Sequence, residues 1–456
     1  MKRSSGKMDL TQGSIFKLIL LFALPICLGN MLQQLYSTVD TLVISNFCGT
    51  TSLAAIGTSS QPVEILLCLF MGLGSGVSIL VAQYIGGRDT VRLNSAVRNV
   101  STFLYLCALP MTVIGIVLGP MILRLMQVPE DTLTPAVTYI RILFLGTLAT
   151  MGYNTNAGIL RGMGDSRSTL YFLIVSCIIN ILLDLLFVAG LGMDVAGAAW
   201  ATIIAQYASW LASAYYLIRR FPEVGYTLRP QRIERDMLRS ILRISLPMGF
   251  NNSFYSVGHV VLQLLINTQG ATFMAACSVA SKVNSLANVA VMSLSSSATT
   301  FSGQNLGAGN YERLRKGAWQ IPVFSGLLTL ITGVAITAAA PRILSIFNPE
   351  QEVLKLAVHY MRIVCPLFWT YAVFNAIISF VNGMGKVKYT MVVNILMLWV
   401  VRIPVALLIV TCFDGLYVMA AYPISFTVGM IAMICYFLTP SWKRICAAGS
   451  ARPNAA

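Results

Sequence analysis

Charge is scarce in this chain: Asp and Glu together number 16 in 456 residues, and charged side chains of both signs make up 10%. A soluble domain carries roughly 25% charged residues, so this chain cannot clothe a water-exposed surface. Histidine is almost missing, with His259 and His359 each standing alone. That excludes an HExxH zinc site and any His-based catalytic set. The ten Cys are scattered singly through apolar stretches without CxxC or Cys/His spacing, which excludes a disulfide scaffold and a zinc ribbon. With no nucleophile, metal or phosphate motif left, the sequence does not read as an enzyme. No resident cofactor is expected.

What the chain has is apolar length, with 57% hydrophobic residues. Crossing ~30 Å of hydrocarbon takes about 20 apolar residues in a helix. Twelve such stretches fit: 14–46, 52–85, 95–122, 134–160, 168–190 and 195–218, then 240–267, 273–306, 317–341, 353–382, 389–411 and 416–438. The fold class expected is therefore an all-α membrane protein of twelve transmembrane helices. The basic start and apolar run of residues 1–30 lack a small-residue cleavage site and continue too long for a signal peptide, so they read as helix one.

A net charge of +15 suggests nucleic acid only while its location is ignored. Lys2, Arg3, Lys7, Arg88, Arg92, Arg98, Arg161, Arg167, the Arg219 to Arg243 stretch, Arg313, Arg315, Lys316, Lys386, Lys388, Lys443 and Arg444 fall in alternate connections. Arg124, Arg342 and Lys355 occupy the others. This is the positive-inside asymmetry, and it places both termini in the cytoplasm. The expected partners are lipid and small molecules, not nucleic acid, and the expected state is a monomer.

The chain also repeats itself. Ala54-Ala55, Gln83, Gly86, Tyr139, Arg141, Asn154 and Gly162-Met163-Gly164 recur 221 positions later as Ala275-Ala276, Gln304, Gly307, Tyr360, Arg362, Asn375 and Gly383-Met384-Gly385. One constant offset over such a distance implies two copies of one membrane unit with a cavity where they meet. The expected division is an N-lobe of six helices over 1–218, a cytoplasmic linker over 219–239, a pseudo-symmetric C-lobe over 240–440 and a tail over 441–456. Gly72 and Gly76, echoed by Ser293 and Ser297, suit close helix approach. Pro25 and Pro247, near the start of each copy, suit a bend or a hinge.

Ionisable groups inside a bilayer cost at least a few kcal/mol and are functional candidates by default. Removing acids in connections leaves Asp40, Glu64 and Asp184. Asp40 and Asp184 each lie six residues before the outer end of their expected helices, about 9 Å deep at 1.5 Å per residue. Asn180 shares the Asp184 helix face one turn earlier, and Thr202 enters helix six at a depth of about 10 Å. Four oxygen-bearing side chains at one level suit a proton or a small hard cation such as Na⁺, the latter held by Asp40, Asn180 and Asp184. Glu64 sits near mid-membrane, one turn from the level of Lys282, which makes a Glu64–Lys282 pair an expectation. Arg402 is expected to bond to neighbouring carbonyls. Substrate-lining candidates are Gln34, Tyr36, Glu64, Met151, Tyr153, Asn154, Asn252, Tyr255, Lys282 and Asn375, drawn from mixed aromatic and amide faces. The Gly-Met-Gly-Asp165 turn looks like the GxGD of intramembrane aspartyl proteases, but its copy partner is Gly-Met-Gly-Lys386, which argues against that chemistry.

The repeated unit, the Ala-Gln-Tyr-Ile-Gly-Gly and Gly-Gln-Asn-Leu-Gly-Ala turns after helices two and eight, and the Leu-Arg-Gly-Met-Gly-Asp turn after helix four together resemble the multidrug and toxic compound extrusion (MATE) family. The resemblance spans roughly residues 14–440. It implies the MATE fold and alternating-access export of cationic amphipathic drugs in exchange for H⁺ or Na⁺. One branch of the family places an Asp on helix one, an Asn and an Asp on helix five and a Thr on helix six in an N-lobe cation site, which Asp40, Asn180, Asp184 and Thr202 match. The acids that another branch adds to C-lobe helices have no counterpart, since Glu312, Glu350, Glu352 and Asp414 fall in connections. A lipid-linked oligosaccharide flippase of the same wider superfamily is the alternative.

Overall fold

The computed structural model describes residues 8–345, 350–413 and 415–450; the side chains at 50, 60–62, 64–70, 441 and 448–450 are outside the described residues. Among the described residues twelve long helical rods precede a short C-terminal helix: α1 Ile15–Phe47, α2 Gly49–Gly86, α3 Thr90–Leu125, the bent pair Glu130–Leu145 and Thr147–Gly162 as α4, α5 Ser166–Gly190 and α6 Asp194–Arg220. The second set is α7 Arg235–Asn267, α8 Ala271–Gly307, α9 Tyr311–Ser345, α10 Gln351–Gly383, α11 Val387–Cys412 and α12 Gly415–Tyr436. No strand occurs among the described residues. Helices are what a hydrocarbon solvent demands, because each backbone polar group must find its partner within its own segment. The ends are capped where side chains allow it. Asp89 accepts from the Arg92 amide at the start of α3, and its copy partner Asn310 accepts from the Arg313 amide at the start of α9.

Several rods depart from the straight helices that hydropathy implies. α4 bends by 50° around Gly146. The bend frees the Phe144 carbonyl, which then accepts from Thr112 Oγ1 at 3.1 Å and Thr147 Oγ1 at 2.6 Å. Hydroxyls thus replace the broken backbone bonds. α10 is interrupted by a 3₁₀ turn over Cys365–Leu367, where Pro366 removes a donor. α5 and α11 each carry a π-helical stretch, Leu185–Gly190 and Leu396–Arg402.

Two compact units result, but they are not cut at the linker. One contains Leu28–Phe250 with Met1–Met8, and the other contains Asp9–Cys27 with Asn251–Ala456. α1 and α7 therefore each begin in one unit and end in the other, and the change falls just after Pro25 and Pro247. The expected linker is also shorter than 219–239, because α6 runs to Arg220 and α7 starts at Arg235. Its backbone docks on α3: Gln231 N donates to Thr102 Oγ1 and Glu234 N to Asn99 Oδ1. The lead-in to α1 is gripped in the other unit. Leu10 N donates to Gln304 Oε1, Asn305 Nδ2 donates to the Leu10 carbonyl, and Arg313 Nη1 to that of Gly13. The Gly-Gln-Asn segment, expected as a turn after helix eight, lies in the last turns of α8 and forms this clamp. The expected tail includes a helix, α13 Pro440–Ser450, whose Trp442 ring packs on Phe437 at 5.0 Å.

Within each unit the duplication is preserved down to single contacts. A Cβ on Gly162 would collide with the Ser78 carbonyl and Val81, and one on Gly383 with the Thr299 carbonyl and Ser302. Each of these residues lies 221 positions from its counterpart. The second glycine of each turn, Gly164 or Gly385, has φ of 90° or 78°, which suits only a residue without a side chain. Gly72 and Gly76 likewise press on Gly249 and Ser245 of α7. Small residues here set interhelical distance.

Gly383→Val is expected to destabilise the purified protein by at least about 2 kcal/mol through overpacking. Gly57→Ala on α2, where a Cβ meets nothing within 4 Å, is expected to be neutral or slightly stabilising. Melting curves in one detergent check the contrast.

Candidate functional site

α1, α4, α5 and α6 converge on one chamber in the first unit. Asp184 ends the regular part of α5 and is fully buried, with Asn180 one turn earlier also buried. Asp40 of α1 faces Asp184 within hydrogen-bonding reach. Thr202 of α6 closes the group: Asn180 Nδ2 lies 3.5 Å from its Oγ1, and Tyr36 OH lies 3.5 Å from the same atom. All four residues expected to couple an ion are thus adjacent. Tyr36, expected to line a substrate cavity, touches this cluster as well.

The electrostatics of the chamber are unbalanced. Oδ1 of Asp40, both carboxyl oxygens of Asp184 and Oδ1 of Asn180 are buried with no donor among the described residues. Two ionised carboxylates about 4 Å apart repel by about 4 kcal/mol at an effective dielectric of about 20. No basic side chain among the described residues pairs with either. A proton shared between the carboxyls, or a small cation drawn to the converging oxygens, resolves both the repulsion and the missing donors. The donor set is hard oxygen, which suits H⁺ or Na⁺ and not a soft transition metal. No cluster of three or more His, Cys, Asp or Glu exists among the described residues.

Comparison with known proteins gives the family. The sequence profile of MatE matches twice, over residues 25–186 and 247–408. The chain belongs to the MatE family. It is 30% identical over 447 residues to the probable multidrug resistance protein YoeA of Bacillus subtilis, covering 94% of this chain and 95% of that protein. A FAD transporter of Shewanella oneidensis is 24% identical, covering 96% of both chains. Among solved structures, the outward-facing conformation of a multidrug resistance MATE family transporter superposes with a TM-score of 0.89 at 25% identity, covering 99% of this chain and 100% of that one. The chain is a multi-pass membrane transporter of the MATE fold, not an enzyme.

The two MatE matches start at the two prolines, so the family unit and the internal repeat coincide. Sequence reasoning missed Tyr139 of α4, which is buried beside Tyr36, Asp40 and Asp184. Its identity with its copy partner Tyr360 was the available signal. The remaining substrate candidates divide between the units, Gln34, Met151, Tyr153 and Asn154 in the first and Asn252, Tyr255, Lys282 and Asn375 in the second. Met151 is buried among Leu73, Leu104 and Ala108, so it is a packing residue and not part of a lining. Tyr153 OH donates to the Thr169 carbonyl at 3.3 Å, and Asn154 Nδ2 to that of Thr150 at 2.8 Å. Asn375 Nδ2 donates to the Tyr371 carbonyl at 3.1 Å. Gln34 and Lys282 are exposed, and Asn252 and Tyr255 half-buried. The side chain of Glu64 is outside the described residues, and the Glu64–Lys282 pair with it.

Two readings change. Asp165, of the protease-like turn, caps α5: its carboxylate accepts from the Ser168 amide at 3.0 Å and from Tyr216 OH at 3.1 Å. Among the described residues Arg402 bonds to side chains, where carbonyls were expected. Its Nε donates to Ser425 Oγ at 2.8 Å and its Nη2 to Met397 Sδ at 3.2 Å, while the rings of Phe426 and Tyr422 lie 4.5 and 4.8 Å from the guanidinium carbon. Aromatic faces offset the charge by about 0.5–2 kcal/mol each, against several kcal/mol for its desolvation.

A hydrophobic carbodiimide, which attacks protonated carboxyls within membranes, is expected at pH 8 to form a single adduct per molecule, on Asp40 or Asp184. Mass spectrometry locates it, and recovery of both carboxyls unlabelled at pH 8 would contradict a shared proton.

Proposed function

We propose that this chain is a secondary active antiporter that exports cationic amphipathic drugs or toxins by alternating access in exchange for H⁺ or Na⁺. It works as a monomer in the bacterial plasma membrane, with both termini in the cytoplasm. The observation that carries this reading is the Asp40–Asp184 pair with its unmatched oxygens. The names of its relatives as multidrug resistance proteins support the drug-export part.

In this cycle a proton or Na⁺ entering from outside neutralises the pair. The negative field that held an organic cation weakens, and the substrate leaves outward. After the return to the inward-facing state the ion departs. Such coupling requires only that ion and drug weaken one another's binding reciprocally. Asn180, Thr202, Tyr36 and Tyr139 position the ion, and Gln34, Tyr153, Asn154, Asn252, Tyr255 and Asn375 supply substrate contacts. The flippase alternative, which needs several basic groups matched to a pyrophosphate, finds only the isolated Arg402 among the buried side chains described.

In inverted vesicles, collapsing either the proton or the sodium gradient alone identifies the coupling ion, since only one should stop dye uptake. Asp40→Asn and Asp184→Asn are expected to insert normally and to reduce driven uptake to background. Full gradient-driven transport by both variants would refute the coupling role of the pair.

A further inference from the structure

The helices that frame the carboxyl chamber, α1, α4, α5 and α6, have copy partners α7, α10, α11 and α12 in the second unit. Those partners also converge on a charged side chain, and its sign is opposite. Arg402 on α11 is fully buried. α12 contributes Tyr422, Ser425 and Phe426, α7 contributes Tyr255 with its ring 6.0 Å from the guanidinium carbon, and α10 contributes Tyr371, whose ring lies 4.5 Å from that of Phe426.

The Arg402 cage is incomplete. A guanidinium presents five N–H donors and keeps its charge. Ser425 and Met397 take one from Nε and one from Nη2, while Nη1 is buried without an acceptor. No carboxylate among the described residues lies in ion-pair range of it. Aromatic faces satisfy the cation above and below its plane but cannot accept in-plane hydrogen bonds with the strength of an anionic oxygen. A buried cation left in that condition is the geometry of a receptor for an anion. The approach is not sealed, because Tyr255 and Tyr422 are half-buried and His259, whose ring lies 4.7 Å from that of Tyr255, is exposed.

We propose that Arg402 is the anchor of a second binding chamber that takes the carboxylate of an amphipathic aromatic substrate, with Tyr255 and Tyr422 stacking on the adjoining ring system. This names a substrate class, aromatic zwitterions and acids, for the transport reading above and rests on that reading for export. Binding itself does not depend on it. One carboxylate oxygen satisfies Nη1, and the negative charge supplies the counter-ion that the protein withholds.

Rhodamine 110, a xanthene cation with a free carboxylate, and rhodamine 123, its methyl ester, differ only in that group. Fluorescence polarisation with the purified full chain in detergent at pH 7 is expected to show the acid bound about tenfold more tightly than the ester. Arg402→Gln should remove that preference by weakening the acid alone, and Arg402→Lys should keep part of it. Equal or tighter binding of the ester by the wild type overturns the proposal whether or not the variants fold, as does a preference that survives in Arg402→Gln. Displacement of both dyes alike by chloride, without preference for the acid, would make the site one for free inorganic anions and also overturn it. Because no gradient is involved, failed antiport leaves this result standing, and failed acid preference leaves antiport untouched.

Discussion

An uncompensated charge in hydrocarbon costs more than almost any single contact returns, and the arrangement of this protein follows from that constraint. Nearly all its charged residues stand in connections and at helix ends, where water reaches them. The exceptions gather compensation. Asp40 and Asp184 face one another and need a proton or cation between them. Arg402 collects a hydroxyl, a thioether and three aromatic faces. Even the bend of α4 obeys the same rule, since Thr112 and Thr147 restore hydrogen bonds to a carbonyl that the bend has freed.

Much of this was legible before the structure. A helix rises by a fixed amount per residue, so sequence distance from a helix end converts to depth, and depth put Asp40, Asp184 and Thr202 at one level while helix periodicity added Asn180. The duplication was legible because close-packed turns tolerate no side chain, which kept Gly162 and Gly383 as glycine in both copies. What hydropathy cannot reveal is which neighbour a helix leans on. The division of α1 and α7 between units, the burial of Met151 and the aromatic cage of Arg402 all depend on packing partners remote in sequence. The π-helical stretches were invisible for a related reason: their register is set by tertiary contacts, and no local residue pattern announces them.

α1 and α7 carry a structural consequence beyond their apolar length. The lead-in to α1 is held by hydrogen bonds to Gln304, Asn305 and Arg313, and the remainder of the helix beyond Pro25 packs with the opposite unit. α7 repeats the arrangement, with its lead-in fixed to Asn99 and Thr102 and its change of unit after Pro247. A proline contributes no amide hydrogen, so a bend there breaks fewer backbone bonds than elsewhere in the helix. Asp40 lies downstream of such a point, on the same helix whose lead-in the Gln304 clamp holds.

Duplication normally predicts that equivalent positions do equivalent work, and here the two copies separate architecture from electrostatics. The contacts that set helix spacing are conserved between them, as Gly162 against Ser78 and Gly383 against Thr299 show. Tyr139 and Tyr360 persist in both. The charged centres do not: α5 carries a carboxylate where its π-helical stretch begins, and α11 carries a guanidinium where its own stretch ends. A π-helical segment holds one residue more than an α-helix of the same span, and it rotates the side chains beyond it relative to the helix axis. The insertion thus lets each copy aim a different residue into a frame whose walls are otherwise common. Divergence of charge within a fixed frame is the economical route to two chambers of opposite polarity, since neither change disturbs the glycine contacts on which both units depend.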